Sequence, residues 1–154
     1  LTDTNPTHWL SGTSAPCTSV FKPLWFDTGI PSIGEFPTGQ YNQSTLWWQH
    51  EKLHREVLKD YTHRLPVFKD ARDALEARFQ EQVESMRDKS VEERRAFSQA
   101  CFNEAECMTE AWTQQVKKEP IKDENPWLYR KAWEALAKDA SFYYGSEDGK
   151  TNMP

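Results

Sequence analysis

The sequence predicts an α+β protein, mainly α, in which an N-terminal β-hairpin is followed by three to four antiparallel helices. Three observations carry that reading. Residues 7–26 hold two short runs rich in β-branched and aromatic residues, separated by Ala15-Pro16-Cys17. From Ser44 onward, apolar residues recur at every third or fourth position. Nothing after residue 43 supplies a further strand. The resulting divisions are 1–43 for the hairpin and a crossing loop belonging to an incomplete sheet, 44–145 for a helical region, and 146–154 for a frayed tail.

The two strands are expected over residues 7–14 and 18–26, with a hairpin-like turn at 15–17. Pro23 cannot donate to a ladder, so it belongs at an edge, at a bulge or near the strand's end. Two strands alone are marginal in water, which points to sheet partners outside this chain and to edges prone to pairing with another chain. Residues 27–43 carry Gly29, Pro31, Gly34, Pro37 and Gly39 without any period. They read as an ordered crossing loop anchored by burial of Ile30, Ile33 and Phe36.

A first helix is expected from Ser44 to Arg64, with Leu46 or Trp47, His50, Leu53, Val57 and Tyr61 on one face. Pro66, at a first-turn position, opens a second helix to about Lys89, striped by Phe68, Ala71, Leu75, Phe79, Val83 and Met86. Ser90-Val-Glu-Glu93 fits a capping box in which hydroxyl and carboxylate satisfy orphan amides reciprocally. It starts a third helix with Phe97, Cys101, Ala105, Met108, Trp112 and Val116 inward, ending before Pro120. Asn125-Pro126 reads as cap and first-turn proline of a fourth, with Trp127, Trp133, Leu136, Ala137 and Ala140 inward. Phe142-Tyr-Tyr-Gly145 closes it.

At 154 residues the chain is one domain's worth, or a piece of a larger one. With 19 Lys+Arg interspersed among 24 Asp+Glu, the net charge is −5 and no basic stripe exists for a nucleic acid or an anionic membrane. No apolar run reaches the ~20 residues of a membrane span. Leu1-Thr-Asp-Thr-Asn-Pro6 has neither a basic nor an apolar leader segment, so no signal peptide is expected, and a start at Leu suggests a cut chain. Cys17, Cys101 and Cys107 are odd in number and form no Cys-x-x-Cys pair, which favours thiols in a reducing, cytoplasmic compartment. Seven Trp, each burying roughly 150–250 Å², give a short chain enough apolar surface for a substantial core.

The one short pattern with catalytic meaning is His50-Glu51-Lys52-Leu53-His54. Histidines at i and i+4 share a helical face and can take two positions around a zinc ion, while Glu51 could activate a bound water. Against a zinc-dependent peptidase stand the positive charges of Lys52 and Arg55 and the lack of a third ligand in sequence. The remote Asn103-Glu104 is the nearest substitute. A helix with His50 toward the core and His54 partly solvated is the favoured reading. Cys101 and Cys107, six apart on one helix, face different directions and read as packing thiols. Cys17, in a turn, has only His8 across the hairpin as a potential base.

Three segments together resemble a known family. They are His8-Trp-Leu-Ser-Gly-Thr-Ser-Ala-Pro-Cys-Thr-Ser-Val-Phe-Lys-Pro23, Ser44-Thr-Leu-Trp-Trp-Gln-His-Glu-Lys-Leu-His-Arg55 and the run through Tyr61. They resemble the C-terminal third of the secernin-like dipeptidases, which are N-terminal-nucleophile cysteine hydrolases. The resemblance spans residues 8–61 and fades along the later helices. It implies an αββα fold of which this chain is a fragment, and hydrolysis of dipeptide amide bonds by a Cys that opens the mature enzyme. Leu1 is not that nucleophile. No catalytic, cofactor-binding or metal-binding residue is therefore carried over, and no cofactor is expected. The implied partners are the N-terminal catalytic portion, a dipeptide substrate in the intact enzyme, and another copy if the helices mediate dimer contacts. A zinc peptidase built on His50, Glu51 and His54, and a non-catalytic helical interaction module with exposed Trp side chains, are the alternatives.

Overall fold

A computed structural model describes residues 5–142. It is mainly helical, with a two-stranded antiparallel hairpin and five helices. The strands are β1 (His8–Leu10) and β2 (Lys22–Leu24), in register His8↔Leu24, Trp9↔Pro23 and Leu10↔Lys22. They are much shorter than the runs 7–14 and 18–26 suggest. The reason lies in the hydroxyls between them. Thr13 Oγ1 donates to Ser19 Oγ (2.7 Å) and Thr18 Oγ1 to the Ala15 carbonyl (3.3 Å). Such local bonds compete with a strand ladder. Residues 11–21 thus form a long connection with a single 3-10 turn, Pro16–Thr18, rather than a tight hairpin turn.

Pro23 sits mid-strand in β2, where its missing N–H costs little because β2 has one strand neighbour. Within this chain the hairpin is held against a helix. All three residues of β2 are buried, and Ser98 Oγ donates to the Pro23 carbonyl (2.7 Å), fastening the strand to a helix of the same chain.

The crossing loop departs from expectation. Ile30 is 77% and Phe36 87% exposed, and only Ile33 is half-buried. Polar bonds hold the loop instead: Ser32 exchanges backbone bonds with the Gln99 amide (2.7 and 3.0 Å), and Asn42 Nδ2 donates to Glu35 (2.6 Å). Gly34 bridges to Thr45 at φ +79°, where a Cβ would collide with the Ser44 carbonyl. Only glycine fits there.

Helix α1 (Leu46–Leu58) starts at Thr45, whose hydroxyl accepts from the Trp48 amide (3.2 Å). The expected single helix to Arg64 breaks at Asp60, which caps a separate turn, α2 (Tyr61–Arg64), and leaves Tyr61 43% exposed. Asp60 also accepts from the Lys122 (2.8 Å) and Asp123 (3.1 Å) amides, so the break serves a tertiary joint. Arg64 closes that joint from the other side, donating to the carbonyl (2.8 Å) and carboxylate (2.9 Å) of Glu56 and to the Glu119 carbonyl (2.7 Å).

Helix α3 (Pro66–Glu84) has Pro66 in its first turn and buries Phe68, Leu75 and Phe79, with Ala71 left exposed. Helix α4 (Val91–Lys118) carries the capping box as expected: Glu93 N–H donates to Ser90 Oγ (3.2 Å) and Ser90 N–H to Glu93 Oε2 (2.9 Å). The main core joins Val20, Leu53, Val57, Phe68, Phe79, Cys101, Ala105, Trp112 and Val116, drawing on the hairpin connection, α1, α3 and α4.

Helix α5 (Trp127–Asp139) differs most from the sequence reading. Pro126 occupies the cap position, while Asn125 Nδ2 donates back to the carbonyls of Leu58 (2.6 Å) and Lys59 (3.1 Å) at the end of α1. No residue within α5 is buried; Trp127 is 64% and Leu136 52% exposed. Its contact with the rest runs through Trp133, Ala137 and the following Ala140 and Phe142, which pack on Trp48 and Tyr41. The tail 146–154 and the Tyr143–Gly145 ending lie outside the described residues.

Candidate functional site

The connection 11–21 lies over the face of α1 that carries the two histidines. His50 is fully buried, with Nδ1 3.0 Å from Ser14 Oγ and Nε2 3.4 Å from Thr18 Oγ1. The same hydroxyl lies 3.4 Å from His54 Nδ1, and the His54 ring packs edge-on to Trp133. Burial pushes the His50 imidazole down to about 4, opposed by its hydrogen bond with Thr18 and aided by the nearby Lys22 ammonium. His54, half-buried, is also pushed down by burial. Both rings are held neutral near pH 7.

Beside them lies Lys22, buried on β2. Its ammonium donates to the Ser11 carbonyl and sits 5.0 Å from the Phe102 ring centroid. Burial lowers it to about 8, opposed by the carboxylate of Glu76. Glu76 in turn accepts from the Phe21 amide (3.0 Å).

This arrangement does not make a metal centre. Both nitrogens of His50 are taken by hydroxyls. Glu51, the residue that would activate water, is buried and bound to Arg55 Nε at 2.7 Å. Glu104, the distant substitute ligand, pairs with Arg78 between α4 and α3. Among the described residues, the side chains that converge as ligands are instead Asp60, His63 and Asp123, with His63 Nδ1 3.0 Å from Asp60 and 3.7 Å from Asp123. Asp60 there serves as a cap for backbone amides, which together with His63 hold its carboxyl far below the usual range despite the opposing effect of burial.

Nor does it make a nucleophile. Ser14 and His50 are within hydrogen-bond reach, but the other face of the imidazole meets Thr18 rather than an orienting carboxylate. Of the cysteines, all free, Cys17 is exposed and His8 packs at a tilt against Phe26 (4.2 Å between centroids) instead of serving as its base. Burial pushes the Cys101 thiol up to about 12, away from the thiolate that reactivity needs. Cys107 is exposed on α4, apart from Cys101.

Sequence reasoning placed His50 inward and His54 at the margin, and both positions agree with the structure. It missed Ser14, Thr18 and Lys22, which meet α1 only through the fold. The signal for Lys22 was a lysine within an otherwise apolar strand run.

A second feature is a groove of about 320 Å³ between the C-terminal half of α1 and α5, in which apolar and aromatic side chains such as Ile121 and Trp133 alternate with charged and polar ones, Arg55 among them. Among the described residues, no helix is long and apolar enough to cross a membrane. Comparisons with protein-family models, with curated proteins and with solved structures gave no match.

Proposed function

We propose that this chain is the C-terminal part of a secernin-like cysteine dipeptidase, which hydrolyses dipeptide amide bonds through an N-terminal Cys borne by a preceding portion of the protein. On this reading the chain supplies scaffold and interface and no chemistry of its own. One observation supports it above others. The two segments that carry the resemblance, 8–23 and 44–55, are locked to each other by the Ser14–His50, Thr18–His50 and Thr18–His54 contacts. The Gly-Thr-Ser…Cys-Thr-Ser run and the Trp-Trp-x-His-Glu-x-Leu-His-Arg helix are then in contact as one structural unit of this chain.

The natural reading frame containing this sequence, expressed whole, tests the assignment. It is expected to encode an upstream domain whose mature first residue is Cys and to hydrolyse dipeptides until that thiol is alkylated. A frame without such a cysteine, or a whole protein with no alkylation-sensitive turnover, overturns it.

A second reading, a non-catalytic helical module, draws on α5, where Trp127, Leu128 and Leu136 lie exposed on a helix with no buried residue. The two readings are compatible wherever α5 is the surface that meets the rest of the protein.

A further inference from the structure

The groove between α1 and α5 has a feature that ordinary helix packing does not require. Arg55 is only 12% exposed, yet just its Nε is engaged by a carboxylate, that of Glu51 at 2.7 Å. Among the described residues, the terminal nitrogens of its guanidinium have no hydrogen-bond partner. The guanidinium is held by rings instead, with centroids of Phe142 at 4.5 Å, Trp133 at 5.1 Å and Trp48 at 6.0 Å. Aromatic packing fixes the plane of the cation while leaving its N–H edge unspent, and a planar guanidinium matches the geometry of a carboxylate.

The other walls of the groove are chemically complementary to the body of such a ligand. Leu58, Ile121, Tyr129 and Trp133 give apolar and aromatic surface. The acidic groups at the rim already have cations: Glu124 is 3.0 Å from Arg130, and Glu134 2.6 Å from Lys131. They do not compete for Arg55, nor do they offer an unpaired charge to a cationic ligand. The volume, about 320 Å³, lies at the lower end of the range of small-molecule sites, which are mostly apolar with a few placed polar groups.

We infer that the α1–α5 groove binds a small carboxylate with an aromatic or branched aliphatic body, the carboxylate on the free edge of Arg55 and the body between Trp133, Tyr129 and Ile121. A free N-acylated amino acid and the C-terminus of an apolar-ended peptide share this chemistry. The site is independent of the dipeptidase assignment, since it uses residues of this chain alone.

N-acetyl-L-phenylalanine titrated against the 154-residue chain, with the indole N–H resonance of Trp133 followed by NMR, tests the site. The expected result is saturable shifting at millimolar concentration. N-acetyl-L-phenylalanine amide should bind at least about tenfold more weakly, because it lacks the charge-assisted pair. A longer peptide ending in phenylalanine separates the two ligand sources: binding as tight as the acid assigns the groove to peptide termini, and no binding assigns it to free acids. Arg55→Gln should remove the preference for acid over amide. Ala137→Phe, which places a ring in the groove beside Trp48 and Phe142 while keeping Arg55 itself, should abolish binding while leaving the circular dichroism spectrum unchanged. Equal binding of acid and amide, no shift with either, or retention of binding in Ala137→Phe overturns the inference. The acid–amide comparison decides it even if Arg55→Gln does not fold.

Discussion

His50 shows how burial turns a motif into a pH-sensitive structural residue. Its ring is neutral when folded, because burial depresses it from 6.5 to about 4. The unfolded chain binds the extra proton first as pH falls. His50's contribution is therefore fully present above about 6.5, declines between 6.5 and 4, and levels off below. The loss over that window is about 3 kcal/mol. Urea unfolding at pH 7 and pH 4 should show a steeper decline for the native chain than for His50→Gln; parallel declines contradict it. Lys22 has the same sign in a more alkaline window. Its ammonium, depressed from 10.5 to about 8, is charged and disfavoured in the fold at neutral pH, and that cost is relieved as pH rises from 8 to 10.5. Lys22→Met should raise stability at pH 7 by about 1–3 kcal/mol, read from denaturant unfolding. A loss of stability would mean the bond to the Ser11 carbonyl outweighs desolvation. The inward placement of His50 was legible because helical period fixes which face a residue takes. Its partners were not, because Ser14 and Thr18 reach it only across a connection whose path is set by tertiary packing.

Among the elements, local chemistry and the phase of α1, α3 and α4 were legible, and the phase of α5 was not. The capping box of α4 could be read from four consecutive residues, since its bonds close within one turn. Ser90→Ala should cost about 1 kcal/mol, measured as a shift in the urea midpoint at constant slope. The break at Asp60 was hidden, because apolar spacing continues from Val57 to Tyr61 while the aspartate is recruited by amides of 122 and 123. Asp60→Ala should speed hydrogen exchange at the Lys122 and Asp123 amides more than at those of the α4 core; uniform acceleration would mean a global rather than a local effect. In α5 the apolar residues spread over a wide arc, of which only the strip with Trp133 and Ala137 meets α1. The inward placement of Trp127 and Leu136 consequently failed, while Trp133 and Ala137 do face α1. In the crossing loop, Ile30 and Phe36 were assigned to the interior on hydrophobicity alone, but amide and carboxylate bonds hold that segment and the apolar side chains point outward.

On the scale of the molecule, the mainly helical class with its N-terminal hairpin followed from composition and period, but the source of the hairpin's stability did not. A two-stranded sheet is marginal by itself, and here β2 is buried against helices of the same chain, with Val20 entering the common core. Phe26, Ile30 and Phe36 on one segment and Trp127, Leu128 and Leu136 on another are exposed, and under the proposed scaffold role these are the apolar side chains offered to the rest of the protein. The candidate chemistry contracts accordingly. The His50-Glu51-x-x-His54 helix joins two segments by hydroxyl–imidazole contacts, and its glutamate is bound to Arg55. Dipeptide hydrolysis by the purified 154-residue chain, measured with added zinc and again in a chelator, tests the proposed scaffold role most directly. No turnover is expected in either condition, and unfolding midpoints should coincide. Zinc-dependent turnover that disappears in His50→Ala contradicts the scaffold role and restores the metal site.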